Sequence, residues 1–116
     1  MHKLEDLKIW NKAIDLTTVI YEVTANFPTE EKYGLTSQIR RCAVSISSNI
    51  AEGAGRTPKK EFAHFLSIAN GSSYELQTQL IISNRLKLID IEKIDSIIKS
   101  IIEIQKMNYS LQSSLN

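Results

Sequence analysis

The chain predicts an all-α protein, an antiparallel up-down-up-down bundle of four helices. Apolar residues recur at three- and four-residue steps along almost the whole sequence, which is the period of a helix with one buried face. Proline, glycine and a capping aspartate interrupt that pattern at a few places. The intervening connections are short, and short connections make successive helices antiparallel neighbours. At 116 residues the chain is long enough for one domain with its own core and too short for two.

The first helix is expected over about residues 4–25, with Leu7, Trp10, Ile14, Leu16, Val19, Ile20 and Val23 as its apolar face. Phe27-Pro28 ends it, because the residue before proline is pushed out of the helical region. A charged connection from Thr29 to Gly34 leads into a second helix over about 35–54, whose core stripe is Leu35, Ile39, Cys42, Ala43, Ile46 and Ile50. Gly53 and Gly55 weaken its end. Thr57-Pro58 opens the third helix, about 58–84: threonine is a capping residue and proline suits the first turn. Phe62, Phe65, Leu66, Ala69, Leu76 and Leu80 mark its core side, and Gly71 reads as a mid-helix glycine tolerated because something packs closely against it.

Asp90 caps the fourth helix, about 90–114. Its isoleucines, from Ile91 and Ile94 to Ile101, Ile102 and Ile104, occupy more than one face and imply more than one neighbour. Isoleucine also favours strands, but the pairs Ile97/Ile98 and Ile101/Ile102 repeat every four residues, whereas a strand alternates every second one.

The second helix carries a further stripe. Gln38, Arg41, Ser45, Asn49 and Glu52 recur at helical steps beside the core stripe, with small residues scattered among them. An antiparallel hairpin about Gly55–Arg56–Thr57 places Arg41 near Glu75, Ser45 near Gly71 and Glu52 near His64. The expectation is a partly buried Arg41–Glu75 ion pair, with Asn49 and Glu52 hydrogen-bonding across helices or to a loop. Such a network fixes register more than it adds stability. The alternative is a solvated helix flank.

Composition narrows the function. Apolar residues make up 42% and charged residues 23%, as in a folded globular protein, and the net charge of +1 gives no bulk attraction to nucleic acid. Cys42 is the single cysteine, so no internal disulfide forms, and its place on the core stripe reads as a small buried hydrophobe. No signal-peptide run and no membrane-spanning apolar stretch is present, which makes the cytoplasm the default location. Catalysis has little to work with. His2 and His64 are far apart, no metal-ligand spacing occurs, and no Glu-x-x-His pair exists for a di-metal bundle. Glu52-Gly-Ala-Gly-Arg56 contains Gly-x-Gly, but it ends a helix instead of following a strand, so it is no dinucleotide loop. No enzymatic activity, metal or cofactor is therefore expected.

Basic residues gather at the two ends. Arg56, Lys59 and Lys60 lie at the turn between the second and third helices, the end that also holds Met1, His2 and Lys3. Arg40, Arg41, Arg85 and Lys87 lie at the other end with Lys32, partly offset by Glu30 and Glu31. Either group is a candidate phosphate-binding site, and the positive N-terminal end of the third helix adds to the first. The bland alternative is that these cations solubilise helix ends. Repetition around a symmetric oligomer turns a modest cluster into a strong local field.

Leu7-x-x-Trp10-x-x-Ala13, Phe27-Pro28, Gly34-Leu35-x-x-Gln38, Arg41-x-Ala43-x-Ser45-Ile46-x-x-Asn49-Ile50-Ala51-Glu52-Gly53 and Phe65-Leu66-x-x-Ala69-x-Gly71-Ser72-x-x-Glu75-Leu76 occur in that order. Together they resemble the bacterial 23S ribosomal RNA intervening-sequence proteins, the S23 family, over nearly the whole chain. The resemblance implies a four-helix protomer in a ring-like homopentamer, without established enzymatic activity. Some members are encoded within insertions in ribosomal RNA genes, and related accessory proteins of retroelements bind nucleic acid and a reverse transcriptase. The expected function is a non-catalytic oligomeric protein that binds RNA or a nucleic-acid-bound protein. The competing expectation is a purely structural scaffold that touches no nucleic acid.

Overall fold

The computed structural model of the protein describes residues 3–116. Met1 and His2, which the sequence groups with the Arg56 end, lie outside the described residues. Four α-helices follow one another: α1 (Lys8–Thr24), α2 (Leu35–Ala54), α3 (Lys59–Arg85) and α4 (Ile91–Ser114), with no strand among the described residues. Each helix packs on its neighbours in sequence, and α4 closes back on α1. The body measures 43 × 24 × 21 Å, its long axis set by α3, whose 27 residues extend about 40 Å at 1.5 Å each.

All four helices meet on one core. Ile9, Ala13, Leu16 and Ile20 come from α1, Ile39, Ala43, Ile46 and Ile50 from α2, Phe62, Leu66, Leu76 and Leu80 from α3, and Ile94, Ile97, Ile101 and Ile104 from α4. These side chains are almost completely buried. Burying a large aliphatic or aromatic one contributes about 1.5–3 kcal/mol, so this cluster supplies most of the driving force. None of the four helices is both long enough and apolar enough to cross a membrane among the described residues.

Three local expectations are corrected. The first helix does not begin at Leu4: Leu4–Asp6 form a 3-10 turn, Leu7 is extended, and α1 starts at Lys8. The Asn11 side chain explains the break, because its Nδ2 donates to the carbonyls of Glu5 (3.0 Å) and Leu7 (3.1 Å) and ties the turn to α1. Thr57 does not cap α3. Pro58 is the N-cap residue, and its carbonyl accepts from the N–H groups of Glu61 (3.1 Å) and Phe62 (3.3 Å). Nor does anything pack against Gly71, where an added Cβ would find open space. The close approach is at Gly53 instead, which lies against Phe62 and Phe65 of α3.

Candidate functional site

The α2–α3 seam is polar, as its second stripe foretells, but its partners differ. Ser45 Oγ lies 2.9 Å from Ser72 Oγ, one residue along from the expected Gly71. Gln79 Nε2 donates to Gln38 Oε1 at 3.3 Å. Asn49 does not cross to α3: its Nδ2 donates within α2 to the carbonyl (2.8 Å) and hydroxyl (3.0 Å) of Ser45. Arg41 and Glu75 form no ion pair, and both side chains are exposed. It is Cys42 that interacts with Glu75 across the seam. Burial, reinforced by the Glu75 carboxylate, pushes the Cys42 thiol up to about 11. His64 does not reach Glu52; it is exposed and stands edge-on to the Phe65 ring, 5.7 Å between centroids.

A second polar seam, between α3 and α4, escaped the sequence reading. Gln105 Nε2 donates to Ser73 Oγ (3.2 Å) and Gln77 Oε1 (3.1 Å), and the buried Asn108 donates through Nδ2 to the Leu66 carbonyl at 2.8 Å. Asn108 is itself held by Gln112, whose Nε2 donates to its Oδ1. The signal was present, since Asn108 continues the Ile97–Ile101–Ile104 spacing and so had to enter the core.

The predicted cations divide by what they touch. Arg40 is tied to the end of α1: Nε donates to Thr24 Oγ1 (2.8 Å), Nη2 donates to the Tyr21 carbonyl (3.2 Å), and the guanidinium lies 4.5 Å from the Tyr21 ring centroid. Thus Arg40 satisfies a carbonyl in the last turn of α1, where the helix dipole favours a positive charge. Arg56 is bracketed by acids, with Nη2 2.8 Å from Glu52 Oε1 and Nη1 3.5 Å from Glu61 Oε1, and it covers the Phe65 ring. Exposed pairs of this kind contribute at most about 1 kcal/mol, but they offset the charge that Arg56 offers a ligand.

Lys59, Lys60, Arg85 and Lys87 are exposed and take no part in the ion pairs found among the described residues. Lys59 and Lys60 are the first two residues of α3, whose first turn has no side-chain cap. Lys59 lines a groove with Arg56, Thr57, Phe62, Ser114 and Leu115, where the end of α4 meets the α2–α3 link. Arg85 and Lys87 sit at the other end of α3, so the helix separates the two unpaired groups by its full length. No group of three or more His, Cys, Asp or Glu side chains among the described residues is arranged to hold a metal ion.

Four helices on one core, with polar seams between them and unpaired cations at the ends of α3, define an all-α helical protein of the four-helix-bundle kind. The chain belongs to the 23S rRNA-intervening sequence protein family, whose sequence profile matches residues 5–110. It is similar to a crystal structure from Bacteroides thetaiotaomicron VPI-5482, described as a protein with unknown function from the S23 ribosomal protein family. The TM-score is 0.80 at 25% identity, covering 89% of this chain and 96% of that one. No curated protein matches it.

Proposed function

We propose that the protein is a non-catalytic, homo-oligomeric, cytoplasmic nucleic-acid-binding protein whose ligand contact is the start of α3. The helices are read as an up-down-up-down bundle: Thr17 meets Ala43 while Thr24 meets Arg40, Ser45 meets Ser72 while Gln38 meets Gln79, and Leu66 meets Asn108 while Ser73 meets Gln105, so numbers rise along one helix as they fall along the next. The observation that carries the binding reading is the pair Lys59 and Lys60, two cations without carboxylate partners on an uncapped helix N-terminus. Lysines and a positive helix end together favour phosphate, and assembly multiplies the cluster.

Binding of a single-stranded RNA, followed by fluorescence anisotropy, tests this. Wild type binds and weakens with added salt, and changing Lys59 and Lys60 together to glutamate abolishes binding. Absent or salt-independent binding by the assembled protein overturns the reading. The scaffold alternative draws support from Arg40 and Arg56, two of the predicted cations committed to internal contacts. It requires an oligomer that binds a protein partner and no RNA.

A further inference from the structure

The four seams of the bundle are not closed alike. Side-chain hydrogen bonds join α1 to α2, α2 to α3 and α3 to α4, but none joins α4 to α1 among the described residues. One exposed ion pair crosses there, Lys12 Nζ to Glu103 Oε2 at 3.0 Å. Between that pair and the start of α1 lies a groove of about 480 Å³, a volume in the range that takes a small molecule.

Two kinds of side chain line it. Leu7, from the turn before α1, and Met107 and Leu111, from α4, form an apolar floor that the chain itself leaves only half-buried. Methionine adapts readily to an irregular apolar guest. Lys8 stands on the α1 wall and Lys106 on the α4 wall; both are exposed, and neither takes part in the ion pairs found among the described residues. The acid closest to Lys106 along α4, Glu103, is already offset by Lys12. Glu5 and Asp6 precede the groove and pair with neither lysine.

We infer that this groove binds an amphipathic carboxylate of the medium-chain fatty-acid class, its alkyl chain on Leu7, Met107 and Leu111 and its carboxylate between Lys8 and Lys106. Unpaired cations on opposite walls attract an anion, and the floor between them gains by covering with hydrocarbon. A simple anion would leave the floor in water, and a neutral alkyl ligand would leave both cations unanswered. The lining on α4 runs only from Lys106 to Leu111, less than two helical turns, which is short for seating a partner helix. The groove shares no lining residue with the one beside Lys59, so the inference stands apart from the nucleic-acid reading.

A nitrogen-15 NMR titration of the full chain with decanoate, kept below its micelle concentration, tests it. Decanoate shifts the amide signals of Leu7, Lys8, Met107 and Leu111 saturably. Acetate, which lacks the chain, and decyltrimethylammonium, which lacks the anion, each bind at least about tenfold more weakly. Lys8→Gln combined with Lys106→Gln weakens decanoate by at least about tenfold, and because both lysines are exposed the helical circular dichroism is unchanged. No saturable shift at these residues, equal binding by either control ligand, or wild-type affinity in the double variant overturns the inference. Light scattering during the titration keeps the wild-type mass; a mass that falls as decanoate binds would show that another copy of the chain occupies the groove, and would overturn it as well.

Discussion

A Cβ added to Gly53 would lie 2.8 Å from Phe65 Cβ and 2.9 Å from Phe62 Cδ1, closer than real Cβ contacts come. The missing side chain lets α2 approach α3 beside their connection, and the neighbouring Phe62 is a core residue with no room to retreat. Gly53→Ala therefore lowers stability by about 1–3 kcal/mol despite alanine's better helix propensity, as a shift of the chemical denaturation midpoint will show. Cys42 makes a different prediction. Its thiol is held protonated to about 11 from an ordinary 9.0, chiefly by burial and next by Glu75, so the folded chain keeps a proton that the unfolded chain releases earlier. The stabilisation is complete below pH 9 and is lost as the pH rises from 9 towards about 11. Denaturation of wild type beside Cys42→Ala across that range will show the wild type losing ground as pH increases, and a thiol reagent will react slowly with the native protein near neutral pH.

Helix ends were the part of the elements that the sequence disclosed unevenly. Asp90 was legible because its chemistry and position agree: Oδ1 accepts from the Lys93 N–H at 2.9 Å. Thr57 carried an equally good capping chemistry, yet Pro58 in an extended conformation took the N-cap place and moved the threonine outside the first turn. Leu4 looked helical by periodicity alone, because the Asn11 hydrogen bonds that hold a separate turn leave no periodic trace. At the other end of α3, Leu88 N–H reaches the Ser83 carbonyl (2.9 Å) and Lys87 N–H the Asn84 carbonyl (2.9 Å), with Lys87 left-handed at φ 64°. This is the Schellman arrangement, which favours glycine where lysine stands. Lys87→Gly accordingly raises stability by about 1 kcal/mol, measured by thermal or urea unfolding, and an unchanged or lower midpoint would contradict the cap.

At the scale of the molecule, the helical class and its four segments were readable because core positions follow a period that burial enforces. Pairing across seams was less readable. A displacement of one residue is enough to put Ser72 opposite Ser45 and to set Cys42, not Arg41, against Glu75. The candidate site was legible as residue types but not as partners: sequence grouped cations at both ends of the bundle, and only geometry separates Arg40 and Arg56, which make internal contacts, from the unpaired lysines at the start of α3. That separation is the centre of the account, and the salt dependence of RNA binding tests it most directly. Lys59→Gln and Lys60→Gln should each flatten the plot of log affinity against log salt by about 0.7, the value of one phosphate contact on a single strand, without changing stability. Arg40→Gln should lower stability and leave that slope at the wild-type value. A slope that falls with Arg40 and holds with the two lysines would contradict the account.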